Sequence, residues 1–410
     1  MRNIAPVDFN PNKLDRVQIV KEFLANNYEI KMNVFDPGKS FIVSKNEGQY
    51  TSLPTPIDIS LHMESEGIRG CDSILRKILS SPNQINTFNP IHDYFNLLEK
   101  KWKGTSHIDI LTSCVKVREW ADKPEGHYQK RFEKLFKKWL VASVANYVGI
   151  QSNDVIFGFI SAEGGIGKTR FFQNLVPQSL KQYYIQSDKE DRFFDINKAF
   201  VQNFLIGFEE FEGIKRNNIE TLKKILSAKE LPIKRTFIEN LQRISNAVFT
   251  TNKNQEAGGF MHEGMNDRRF VCVEILYIDY HRYNKEVNID QVWAEALELV
   301  QNTDFNYTWN KEDWKDFLQY NLRYEKDTPS RKLIKEYYKV PENTEDEDMQ
   351  VFMQPIEILQ ELRKHKKIPL SETRVSDITI GIALKALGYE RQMKKVNGQP
   401  RYGYYVIPLF

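Results

Sequence analysis

The sequence predicts an α/β fold with a phosphate-binding loop at its core, on three observations. Strand-like runs alternate with helical ones from about residue 151 to 280. One run, DVIFGFIS, feeds a glycine-rich loop that ends Gly-Lys-Thr and opens a helix. Another run, NFLIGFEEF, ends in adjacent carboxylates. A helical N-terminal region precedes this core, and a C-terminal winged-helix-like domain follows it.

Taken in order, residues 1–85 read as a small α+β unit. VQIVKEFLANNYEI has helical spacing. IKMNVFDPGKSFIVSKNEG alternates around Asp36-Pro37-Gly38, a turn signal, and reads as a hairpin. PIDISLHMESEGIRGCDSILRKILSS then reads as one or two helices. Residues 86–150 read as a helical collar. Within it, YQKRFEKLFKKWLVASVANYV sets Phe132, Leu135, Trp139 and Ala142 on one face and lysines on a solvated one. Residues 151–280 form the expected ATPase core, and 281–340 a helical extension. PENTEDEDMQ, at 341–350, is acidic and reads as a linker. Residues 351–410 read as two helices and a hairpin about Asn397-Gly398, with ten Lys/Arg against five Asp/Glu.

The 410 residues suit two to three domains, and 41% hydrophobic with 28% charged residues suits a globular protein. The net charge of +3 says little about partners; its local distribution says more. No run of about 20 apolar residues predicts a membrane span, and the first residues lack the apolar stretch of a signal peptide. Cys71, Cys114 and Cys272 lack metal-ligand spacing and read as reduced thiols of a cytoplasmic protein.

In a phosphate-binding loop, backbone N–H groups wrap the β-phosphate, a lysine reaches the β- and γ-phosphates, and a hydroxyl binds Mg2+. Residues Ala162, Glu163, Gly164, Gly165, Ile166, Gly167, Lys168, Thr169 and Arg170 fill that pattern, with Ala162 in place of its first glycine. The alanine adds one methyl away from the closest phosphate approach. ATP and Mg2+ are the expected cofactors. Hydrolysis needs an acid at a strand end. Glu209 is assigned to Mg2+ along with Thr169, and Glu210 to the attacking water, though the two roles are exchangeable. Asn252 ends the strand-like VFTTN and is placed to hold water or sense the γ-phosphate. Arg268 and Arg269 precede a strand, and either serves as an arginine finger toward a neighbouring subunit.

These motifs, in this order, resemble the virulence-associated E family of P-loop proteins, similar to superfamily 3 and poxvirus-type primase-helicases. FNPIHDYFNLLEKKWKG resembles the segment before that family's ATPase domain. AEGGIGKTRFF resembles its Walker A motif, FLIGFEEFEG its Walker B, LKKILSAKELPIKR the stretch that follows, VFTTN its sensor and DRRF its arginine motif. Gly207 departs from relatives that carry a further acid in the Walker B strand. The resemblance implies an AAA+-like core, a homo-hexameric ring and movement on single-stranded DNA; a primase, if one is involved, is expected as a separate protein. It places Lys234 and Arg235, and more weakly Lys223 and Lys224, against the DNA backbone. The leading expectation is a DNA helicase of a phage or mobile element. A nucleotide-switched DNA-binding factor and a protein-remodelling ATPase are the alternatives.

Overall fold

The computed structural model describes residues 15–34, 41–44, 55–81, 84–187, 195–234, 238–262, 264–302, 304–326, 328–341, 349–365, 367–368, 374–396 and 399–409. The N-terminal unit contains α1 (Arg16–Asn27), β1 (Tyr28–Asn33), β2 (Phe41–Ser44), α2 (Pro56–Ser65), α3 (Asp72–Leu79) and β3 (Asn86–Phe88). Asp15 caps α1 by accepting from the Val17 N–H, and Thr55 with Asp58 form a reciprocal cap on α2. Strands β1 and β2 pair antiparallel, and β3 pairs parallel to β1. The turn at Asp36-Pro37-Gly38 lies outside the described residues. Val20, Phe23, Ile59 and Leu75 belong to a small core of this unit.

The central body runs through α4 (Pro90–Leu98), α5 (His107–Ser113), β4 (Val115–Val117), α6 (His127–Tyr147), β5 (Ile156–Ile160), α7 (Lys168–Leu175), β6 (Tyr184–Ser187), α8 (Ile196–Gln202) and β7 (Leu205–Phe208). It continues through α9 (Arg216–Ser227), β8 (Glu230–Lys234), β9 (Ile238–Gln242), β10 (Asn246–Thr251), β11 (Phe270–Ile278), α10 (Tyr280–Glu286), α11 (Ile289–Gln301) and α12 (Lys311–Asn321). Six strands form one sheet in the order β4-β11-β5-β10-β7-β6. All neighbours pair parallel except β4, which runs antiparallel to β11. Helices cover the sheet, so β5 and β10 are buried along their whole length; that explains the unbroken apolar text of β5, while β10 also buries Asn246, Thr250 and Thr251. A single hydrophobic cluster reaches from Ile91 to Tyr324.

Two features differ from the sequence reading. Residues 86–150 are not helical throughout: β3 and β4 lie within them, each only three residues long and too short to show an alternation. The basic face of α6 is not simply solvated. Lys138 and Arg131 are buried, and their charges meet Asp313 at 2.7 Å and Asp316 at 2.7 Å on α12. Lys137 meets Glu295 of α11 at 3.1 Å. Charged positions on a long helix thus became its docking contacts, because two helices pack where solvent was expected.

The C-terminal unit contains α13 (Pro329–Tyr337), β12 (Tyr338–Lys339), β13 (Val351–Met353), α14 (Pro355–Lys364), α15 (Asp377–Ala386), β14 (Arg391–Val396) and β15 (Gln399–Pro408). Strand β15 pairs antiparallel with β12, β13 and β14. Ile334, Ile358, Leu362, Ile380, Leu384 and Val406 belong to its separate core. Most of the acidic segment 341–350, and Asn397-Gly398, lie outside the described residues. Among the described residues, no helix is long and apolar enough to cross a membrane.

Candidate active site

The glycine-rich loop leaves the carboxyl end of β5, the edge where ligands bind in parallel sheets. The Ser161 N–H donates to the Thr251 carbonyl at 3.2 Å, fastening the loop's start to β10. Ala162, Glu163, Gly164 and Gly165 are exposed along its crest. Gly165 and Gly167 have φ of +77° and +89°, a region that disfavours any side chain. Gly167 is the N-cap of α7 and offers no capping side chain, so the helix presents uncapped N–H groups and a positive dipole end. Ile166 is half-buried and packs against the central core.

Lys168 opens α7 and is buried. Its ammonium donates to the Glu163 carbonyl at 3.0 Å and to Asn252 Oδ1 at 2.8 Å. Burial lowers the lysine pKa, while the charges of Glu212 and Glu163 oppose that shift. Thr169 is half-buried beside it and Arg170 is exposed. The Arg170 guanidinium lies 4.7 Å from the centre of the Tyr280 ring. Tyr280 in turn donates its hydroxyl hydrogen to the Gly167 carbonyl at 2.6 Å.

The acids follow β7. Glu209 is half-buried, and its N–H donates to the Ser187 carbonyl at 3.1 Å. Glu210 is exposed and has φ +48° and ψ +47°, a left-handed conformation that costs a non-glycine residue about 1–2 kcal/mol. Strain of this kind concentrates at functional sites. Glu212 accepts from Thr251 Oγ1 at 2.6 Å, and its charge acts on Lys168. Sequence reasoning missed Glu212, although it is the third acid of EEFEG. It also missed Tyr280, whose place after a strand parallel to β5 was the available signal. At Gly207, a Cβ would run into the Tyr184 hydroxyl, so an aromatic side chain occupies the room an additional acid would need.

Arg268 and Arg269 lie at the other end of the sheet. They precede Phe270, which pairs with Ile156 at the start of β5, whereas the loop follows the end of that strand. Five residues of strand span roughly 17 Å. Arg268 pairs with Asp154 at 2.8 Å and lies 5.0 Å from the Trp314 ring centre. Arg269 binds Asp267 at 2.8 Å and Ser227 Oγ at 2.7 Å. The fold does not bring either arginine to the loop of its own chain.

Between the acids and Asn252, β8 and β9 form an antiparallel hairpin. Lys234 is exposed at its outer end; Arg235 lies outside the described residues. Lys224 is exposed, but Lys223 donates to the Gly264 carbonyl at 2.5 Å. At the hairpin's root, the buried Arg243 donates to the carbonyls of Ala228, Ser245 and Asn153 at 3.0, 3.0 and 2.9 Å. Burial brings its pKa down to about 10.

Positive-φ glycines, an uncapped helix start, a buried ammonium and an adjacent hydroxyl together suit a nucleoside triphosphate. Among the described residues, no group of three or more His, Cys, Asp or Glu forms a metal cage. Mg2+ needs none when it binds through one or two protein oxygens and the phosphates themselves.

The family description "Virulence-associated protein E-like domain" matches residues 97–326, more than half of the chain. No curated protein matches. The apo structure of the NrS-1 C-terminal region (305–718) aligns at 13% identity and a TM-score of 0.44, covering 97% of this chain and 100% of that one. The A form of the same region aligns at 12% and 0.43, covering 96% and 99%.

Proposed function

The chain belongs to the virulence-associated protein E-like domain family, and on that premise we propose that it is an ATP-driven DNA motor. It has an AAA+-like P-loop core and a winged-helix-like C-terminal domain, and it hydrolyses the terminal phosphoanhydride of ATP. The movement is along single-stranded DNA, as a superfamily 3-like helicase in replication of a phage or mobile element. It works in the cytoplasm as a homo-hexameric ring.

One observation carries this reading: the buried Lys168 ammonium sits between the glycine-rich loop and Asn252 at the end of the neighbouring strand. A triphosphate bound by residues 162–170 would meet both the lysine and the sensor amide. Thr169 and Glu209 would hold Mg2+, which neutralises charge on the phosphates when bound. Glu210 orients and deprotonates the attacking water, and Asn252 hydrogen-bonds at the γ-phosphate. Arg268 or Arg269 then leaves its intrachain carboxylate for the neighbour's site, since neither reaches its own. Lys234 and Arg235 carry the β8–β9 hairpin against the DNA backbone. A fluorescent ATP analogue tests the site: Lys168→Ala should abolish binding and Asn252→Ala should weaken it. Undiminished affinity in Lys168→Ala overturns the assignment.

A further inference from the structure

We propose that the β14–β15 hairpin of the C-terminal unit is a second nucleic-acid binding element, and that α15 is not. The ten Lys/Arg beyond residue 350 are unevenly placed. Four of them, Arg391, Lys394, Lys395 and Arg401, lie on the hairpin, and no Asp or Glu occurs from Arg391 to the end of the chain. All four are exposed. Lys394 pairs with Arg401 across the ladder, so two cations sit side by side where charge repulsion disfavours them. An anion bound across the ribbon relieves that repulsion. Two acids stand near them: Glu357, 3.7 Å from Arg401, and the exposed Glu390, which precedes Arg391 in the chain.

Apolar and aromatic groups lie among these cations. Met393 and Tyr402 face each other across the ladder and are 53% and 55% exposed. The Arg391 guanidinium lies 5.0 Å from the Tyr402 ring centre. Lys394 lies 5.8 Å from the Phe352 ring centre and 5.7 Å from that of Tyr405. Tyr402 is exposed and Phe352 and Tyr405 are half-buried; an exposed ring beside a guanidinium suits a stacked base and its phosphate, and a two-stranded ribbon fits a duplex groove.

Helix α15 has the opposite character. Asp377 stands exposed in its first turn, and Ile378 and Ile382 are 70% and 44% exposed on its outer face. Lys385 is the one cation of the helix. An acid followed by isoleucines is poor chemistry for phosphates or base edges.

This inference stands apart from the ATPase assignment, because binding is read without nucleotide and Lys168→Ala protein serves as well as wild type. The test is fluorescence anisotropy of the full chain with labelled dT30 and with a 20-base-pair duplex, between about 50 and 200 mM salt. Replacing Arg391, Lys394, Lys395 and Arg401 by Gln should weaken binding about tenfold or more. It should flatten the log–log salt slope by about three, at 0.7–0.9 per phosphate contact. Lys385→Gln should change the slope by one at most. Tyr402→Ala should cost about tenfold on the single strand if bases stack there, and little on the duplex if the ribbon enters a groove. Circular dichroism checks the fold, and the milder Lys394→Gln/Lys395→Gln pair repeats the test should the fourfold variant unfold. Unchanged affinity and slope on both probes overturn the proposal, as does a larger loss from Lys385→Gln than from the hairpin variants.

Discussion

Gly167→Ala probes how the loop is held. Gly167 has φ +89°, so an alanine there carries about 1–2 kcal/mol of left-handed strain. Its Cβ would also run into the Tyr280 ring. The ring must then move, and with it the 2.6 Å hydrogen bond from the Tyr280 hydroxyl to the Gly167 carbonyl. Such a bond contributes about 1 kcal/mol net, so the total cost is about 2–3 kcal/mol. In a Tyr280→Ala background, clash and bond are already gone and only the strain of about 1–2 kcal/mol remains. The two costs should therefore differ by about 1 kcal/mol. All six tryptophans lie between residues 102 and 314, so urea unfolding followed by tryptophan fluorescence reports on the central body. Equal costs in both backgrounds would refute the claim that Tyr280 buttresses the loop.

Three other outcomes follow from the same geometry. Asp313→Ala strands the buried Lys138 ammonium, and the tryptophan-detected transition should lose about 3–5 kcal/mol. Lys138→Met should cost less, because Asp313 still accepts from the Asn310 N–H. Cys71, Cys114 and Cys272 are all buried, and burial pushes the thiol pKa of Cys114 and Cys272 up, so native protein should resist a thiol reagent and denatured protein yield three equivalents. If the proposed arginine finger acts across a subunit interface, Arg268→Ala or Arg269→Ala subunits mixed with wild type should depress ATP turnover more steeply than their share of the mixture. A loss that merely tracks dilution contradicts shared sites.

The sequence was most legible where backbone geometry dictates residue type. A strand, Gly165, Gly167, Lys168 and a helix are written in order, and the structure keeps that order. The strands β5 and β7 were readable because burial on both faces leaves continuous apolar runs, and β10 and β11 because each keeps a buried apolar stretch, residues 247–249 and 270–273. Strands β4 and β6 at the sheet's two edges were not: β4 is three residues long, and β6 is only half-buried, so its text mixes polar and apolar residues. Tertiary pairing also overrode local pattern. Lys137 and Lys138 of α6 look solvated on a helical wheel and are tied down by acids more than 150 residues away, while Lys130 and Lys134 stay exposed. Glu212 and Tyr280 join the candidate site through contacts with Thr251 and Gly167, which no local spacing announces.

The proposed motor is one whose ATP hydrolysis depends on DNA. Its most direct test is steady-state ATP turnover with and without single-stranded DNA, for wild type and Glu210→Gln. Strong stimulation by DNA is expected in wild type, and a loss of about 100-fold or more in the variant while ATP still binds. Slow turnover indifferent to DNA, or a fully active Glu210→Gln protein, would contradict it.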